Sequence, residues 1–247
     1  MALQWIRSLI FIIQMYLMMA LMGIVFFIPA MISRDAAIWA MKVYCRWVYW
    51  TLSWMVGLTT EVRGPLPEGN VIVASKHQSF LDVILLMGNL PSGKFIMKRE
   101  LMFAPFLGQY GLRIGCIPVN RGKRGKAIKK MAEDVKRGAI HPGQLIIYSQ
   151  GTRVAPGDYK PYKVGTYVLY DQLEQPCVPA ATNVGLFWPK RGILRKPGHA
   201  VLEFLEPIPA GLDQKTFMTQ LEARVEERSN ALMQGAGFQG DADHQDS

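Results

Sequence analysis

A chain of 247 residues, half of them hydrophobic, has the length to bury one substantial core, so one domain with attachments is expected. Its formal charge of +9 suits an anionic membrane surface, phosphorylated ligands or nucleic acid, and the hydrophobic N-terminus argues for the first two. Cys45, Cys116 and Cys177 are odd in number and lack paired spacing, which argues against a disulfide framework and a zinc site and fits a reducing, cytosolic environment.

Residues 9–32 are apolar almost throughout, with Ser8 and Gln14 as polar interruptions near the start and Arg7 and Arg34 as brackets. The run reaches the ~20 residues of a transmembrane helix, and it is too long for a secretory signal and lacks a cleavage site. Pro29 is expected to end or kink it. Residues 36–58 form a second predicted helix of another kind. Lys42 and Arg46 lie four apart on one face, and Trp39, Trp47, Trp50 and Trp54 crowd the same segment. Tryptophans with basic residues favour the headgroup layer, so this helix is expected to lie in the interface; packing on the soluble domain is the plainer alternative. The two make an N-terminal membrane-anchoring pair, residues 1–59. The positive-inside bias is consistent with the rest of the chain lying on the cytoplasmic side of the membrane.

Beyond residue 60 short β-rich runs alternate with helical patterns. Residues 71–74, 94–97, 113–119, 144–148, 176–183 and 200–205 read as strands, and 80–90, 125–137, 164–175 and 212–233 as helices. Such alternation predicts an α/β domain over residues 60–234, with a mixed, largely buried sheet flanked by helices. Residues 235–247 are small, polar and acidic and are expected to be a disordered tail.

His77 and Asp82 stand where one apolar run ends and another begins, at a predicted strand-to-helix turn. Imidazole titrates near neutrality and can take a proton from an attacking alcohol, while a carboxylate on its other nitrogen fixes the tautomer. The competing reading is local: Ser79 and Asp82 spell a capping box that closes the first turn of the next helix. Arg121 follows a predicted buried strand directly, a place where a rigid guanidinium can meet a phosphate with two parallel hydrogen bonds. Gly151-Thr152-Arg153 follows the strand-like run ending at Tyr148, so a glycine turn would present backbone N–H groups and an arginine together, as anion sites of open α/β sheets do. Ten basic residues and one acidic residue lie between positions 91 and 130, but no aromatics interleave with them for base stacking, so nucleic acid is not expected as a partner. His141, His199 and His244 have no partner nearby in sequence.

The order and spacing of the His77–Asp82 block, Ile117-Pro118-Val119-Asn120-Arg121, Gln150-Gly151-Thr152-Arg153 and Val178-Pro179-Ala180 resemble the glycerolipid acyltransferase family, over roughly residues 60–210. Lys98-Arg99-Glu100-Leu101 resembles that family's Lys-x-Glu-Leu element, which makes Lys98 a candidate for steadying a thioester oxyanion, with a surface ion pair to Glu100 as the alternative. The resemblance implies acyl transfer to a lysophospholipid hydroxyl, with acyl-CoA or acyl carrier protein as co-substrate and no cofactor or metal. Lysophosphatidic acid is the expected acceptor. It implies His77 as base, Asp82 as its orienting partner, and Arg121 and Arg153 on the phosphate, with Gly151 and Thr152 shaping that site. In two respects the chain departs from the pattern: Ser149-Gln150 stands where the family commonly has Pro-Glu, and Val178-Pro179-Ala180 stands where it usually has Val-Pro-Val. Another lyso-lipid acceptor, a thioester hydrolase and a non-catalytic lipid-binding protein remain as alternatives.

Overall fold

The computed structural model describes residues 2–119, 133 and 142–239. Three helices open the chain: α1 (Ala2–Val25), α2 (Phe27–Ile32) and α3 (Arg34–Thr51), the last running on through a π-helical turn at Leu52–Val56. The break between α1 and α2 falls at Phe26, just past Val25, the residue four before Pro29. The proline ring clashes with the Val25 carbonyl and offers it no N–H, so the helix turns there, while Pro29 itself sits in the first turn of α2, where no N–H is needed.

α1 is long and apolar enough to cross a membrane, and most of it faces outward: Ile10 is 50% exposed, Leu17 65% and Ile24 65%. Its polar interruptions lie on the docked side. Ser8 Oγ donates to the Arg195 carbonyl and accepts from Arg195 N, while Gln14 Nε2 donates to Thr51 Oγ1 and Gln14 Oε1 accepts from Trp47 Nε1. The expected pair of anchors thus comes out as one long apolar helix. The second helix, α3, packs on the body of the protein, burying Ala37, Ala40, Cys45 and Val48 while Trp39, Trp50 and Trp54 remain exposed.

The sheet has seven strands: β1 (Leu58–Arg63), β2 (Ile72–Ser75), β3 (Lys94–Lys98), β4 (Ile117–Val119), β5 (Leu145–Tyr148), β6 (Cys177–Thr182) and β7 (Gly198–Phe204). Their order is β1-β7-β6-β2-β5-β3-β4, parallel throughout except between β6 and β7. The remaining α-helices among the described residues are α4 (Leu81–Asn89), α5 (Leu107–Ile114), α6 (Gly165–Leu173) and α7 (Gln214–Gly235). All four residues of the central strand β2 are buried. Val73 joins the core beneath α1, α3 and α4 with Phe11, Leu85 and Val178; Ile72 and Ala74 join the core beneath α6 and α7 with Tyr170, Phe217 and Val225. Period-two alternation between two covered faces is why this strand reads as a continuous apolar run. The close fit of α3 on α4 depends on Gly88, where a Cβ would lie 2.1 Å from the Tyr49 hydroxyl that donates to the Ile84 carbonyl.

Two expectations change. The predicted strand 113–119 is α5 followed by β4, because Tyr110, Gly111 and Ile114 are buried at helical spacing and Gly115, at φ +95°, turns the chain out. The predicted helix 36–58 stops at Gly57, also left-handed, and β1 follows as a polar edge strand whose Thr59, Thr60 and Glu61 carry no strong alternation. The predicted helix 125–137 lies outside the described residues, except that Glu133 is helical.

Candidate active site

Because β2 to β6 run in parallel, the segments leaving their C-terminal ends gather along one edge of the sheet, where open α/β folds place their ligands. His77 leaves β2 at this edge, its side chain 17% exposed. Its Nδ1 lies 2.8 Å from Oδ1 of Asp82, which is fully buried in the first turn of α4. Asp82 Oδ2 accepts from the backbone N–H groups of Gln78 and Ser79 at 2.9 and 2.8 Å, and Oδ1 also accepts from the Tyr148 hydroxyl at 2.9 Å. The carboxylate therefore closes the turn and holds the imidazole at once, so both local readings of the sequence describe the same side chain. A carboxylate accepts only, which puts the proton on Nδ1 and leaves the Nε2 lone pair as the basic site.

The Tyr148 ring stacks on the imidazole, centroids 3.8 Å apart and 17° from parallel, with Phe95 behind it at 6.2 Å. Burial and the Asp82 charge push the Tyr148 phenol well above its usual range, so it stays a neutral donor. Tyr148 arrives through strand register, since β5 sets it opposite Ser75, two residues before His77.

The glycine turn after β5 meets the same edge. The Val154 N–H donates to the His77 carbonyl at 2.8 Å, tying the turn to the histidine's own backbone. Gly151 has φ +71°, which calls for glycine, and the Lys163 side chain lies over it, its Nζ 2.5 Å from where a Cβ would be. Lys163 thereby brings a second cation to the turn beside Arg153, whose Nη1 donates to the Lys190 carbonyl. Thr152 lies between Gly151 and Arg153, partly exposed. Lys98 ends β3 at the same edge, half-exposed, with Nζ 3.2 Å from Glu100 Oε1, the surface-pair geometry. Arg121 lies outside the described residues, though β4 two residues before it ends at this edge. His199 is not without a partner: β1 brings Glu61 Oε2 to 2.7 Å and Thr59 Oγ1 to 2.8 Å, on the exposed rim far along the sheet order from β5.

An apolar cavity of about 100 Å³ is lined by Met19, Met22, Tyr44, Phe80, Ile84 and Tyr110, between the N-terminal helices and α4. Phe80, two residues before Asp82 in the sequence, forms one wall of it. Cys116 and Cys177 are buried free thiols pushed up to about 11 and about 12 by that burial, which keeps them protonated and non-nucleophilic.

The family model described as Acyltransferase matches residues 59–183, which takes in the histidine pair, the glycine turn and the strands between them. The chain belongs to the acyltransferase family. A 1-acyl-sn-glycerol-3-phosphate acyltransferase of Pseudomonas aeruginosa is 30% identical over 179 residues, 70% of this chain and 68% of that protein. The human 1-acyl-sn-glycerol-3-phosphate acyltransferase beta is 33% identical over 171 residues, 66% of this chain and 60% of its own length. The crystal structure of the 1-acyl-sn-glycerophosphate acyltransferase PlsC from Thermotoga maritima matches with a TM-score of 0.78 over 93% of this chain and 97% of that one; at 20% identity this likeness carries the fold.

For this acyltransferase, Tyr148 and Lys163 are the residues at the site that local sequence patterns miss. Replacing Tyr148 with phenylalanine removes one donor from a buried carboxylate, and the expected loss is about 1.5 kcal/mol of folding stability in denaturant unfolding. An unchanged unfolding midpoint would show that the hydroxyl does not support Asp82.

Proposed function

We propose that this enzyme transfers an acyl group from a carrier thioester, acyl-CoA or acyl carrier protein, to the sn-2 hydroxyl of lysophosphatidic acid, giving phosphatidic acid. The observation that carries the reading is the imidazole whose Nδ1 is fixed by a buried carboxylate and whose Nε2 is left to take a proton. The names of the relatives from Pseudomonas aeruginosa and human support the acceptor.

In this reading His77 Nε2 removes the hydroxyl proton as the acceptor oxygen attacks the thioester carbonyl. Asp82 stabilises the imidazolium that forms. The tetrahedral intermediate then collapses, the C–S bond breaks, and the thiol leaves with the proton returned from His77, so acyl group and proton exchange places and the enzyme is unchanged. No acyl-enzyme is needed. Arg153 and Arg121 meet the acceptor phosphate, with Gly151 and Thr152 shaping that site, Lys163 adds positive charge, and Lys98 steadies the thioester oxyanion. The apolar cavity beside Phe80 suits an acyl chain, and α1 anchors the protein to the inner, cytoplasmic membrane, with the catalytic edge on the cytosolic side, so that an insoluble acceptor reaches the site from the bilayer.

The test incubates detergent-solubilised protein with a long-chain acyl-CoA and lysophosphatidic acid, following thiol and phosphatidic acid together. Matched, acceptor-dependent formation of both products is expected. Thiol release that ignores the acceptor would instead make the protein a hydrolase.

A further inference from the structure

On the α7 side of the sheet, directly behind the His77 strand end, lies a buried charged group that the acyl-transfer chemistry does not use. Lys76 is 2% exposed, and its Nζ meets both carboxylate oxygens of Glu226, at 2.7 and 2.5 Å. Oε1 of Glu226 also accepts from the Tyr162 hydroxyl at 3.0 Å and faces Gln150 Nε2 at 3.5 Å. Gln150 is 1% exposed, and its Nε2 donates to the Lys160 carbonyl at 3.1 Å.

Both groups facing Gln150 Nε2 are acceptors, so position 150 has to supply a donor. A glutamate there would set a carboxylate against a backbone carbonyl and against Glu226. Conversely, Glu226 bonds at once to the residue before His77 and reaches the residue before Gly151, the two chain segments that build the site. Where the resembled pattern commonly has a glutamate at position 150, the carboxylate next to this turn here is Glu226, brought in from α7.

We propose that Glu226 is a positioning residue that takes over the carboxylate role missing at position 150, locking the strand end that carries His77 to the turn that carries Gly151 and Arg153. The inference rests on the reading of those two segments as the acyl-transfer site. Glutamine and glutamate have nearly the same volume, so the charge can be moved between positions 226 and 150 without overpacking.

The experiment moves it. Full-length Gln150→Glu, Glu226→Gln and the double variant are compared with wild type for release of the carrier thiol, with lysophosphatidic acid as acceptor and long-chain acyl-CoA as donor, and for thermal unfolding. Each single variant is expected to lower kcat at least about tenfold, with KM for the donor changed less than about threefold, and the double variant to return to within about threefold of wild type. A double variant no faster than the slower single one would overturn the proposal. So would single variants as fast as wild type, and so would a double variant that recovers its melting temperature without its kcat, since that pattern belongs to a structural ion pair. Rates are read with and without lysophosphatidic acid, so that acceptor-independent hydrolysis is seen separately from transfer, and a His77→Ala control run alongside separates a wrong role for Glu226 from a wrong base: the exchange of charge concerns Glu226, the control concerns His77.

Discussion

Replacing His77 with alanine is expected to lower turnover about 10²- to 10⁴-fold while the protein stays folded. The size follows from what the imidazole alone supplies. Among the described residues no neighbouring group replaces its Nε2: Tyr148 is held as a neutral donor to Asp82, and the thiols of Cys116 and Cys177 are buried and protonated. The fold survives because the ring is partly exposed and Asp82 keeps three other donors, the N–H groups of Gln78 and Ser79 and the Tyr148 hydroxyl. Thiol release and phosphatidic acid formation, measured beside circular dichroism of the variant, check it. A variant within about tenfold of wild type would remove His77 from the base role, since general-base removal does not leave so little mark.

The histidine pair was legible because it is local. Six positions along one turn carry the base, its carboxylate and the two N–H groups that hold the carboxylate, and the polar break between two apolar runs marks where the strand ends. The glycine turn was legible for the same reason, Gly151 being forced by a left-handed φ that the strand-then-glycine pattern announces. What supports these groups was not legible. Tyr148 bonds a residue 66 positions away, and Glu226 pairs with Lys76 across 150 positions. Neither meets its partner until β2 and β5 are in register and α7 is laid over them, and a tyrosine ending a strand or a glutamate on a helix face carries no local sign of that. The same gap explains β1, whose polar residues become a strand because β7 is there to pair with them. It also explains His199, whose carboxylate partner belongs to that pairing. In α5 the periodicity was present, in Tyr110, Gly111 and Ile114, but the apolar pair Cys116-Ile117 beyond it invited a longer strand.

Asp82→Asn is expected to cost on the order of 10³- to 10⁴-fold in kcat, a loss as large as that of the base itself, for a change of one atom. The reason is a count of donors. All four groups around the carboxylate donate to it: two backbone N–H groups on Oδ2, and His77 Nδ1 and the Tyr148 hydroxyl on Oδ1. Asparagine has one oxygen and one NH₂. The backbone N–H groups cannot reverse, so the amide oxygen must stay with Gln78 and Ser79 and the NH₂ must turn toward His77 and Tyr148. The tyrosine adapts by rotating its hydroxyl and accepting. The imidazole adapts only by changing tautomer, so that Nδ1 accepts and the proton moves to Nε2, where the basic lone pair was. The ring stays in place, stacked on Tyr148, with its lone pair on the wrong side. Asp82→Ala should behave differently, because the N–H groups of Gln78 and Ser79 lose their acceptor in the interior, and each orphaned donor costs roughly 1–3 kcal/mol. The pair of variants therefore separates two jobs of one side chain: kcat falls in both, while the unfolding free energy falls markedly only with alanine. If Asp82→Asn kept turnover within about tenfold of wild type, tautomer control by Asp82 would be wrong and the carboxylate would be a helix-turn cap alone.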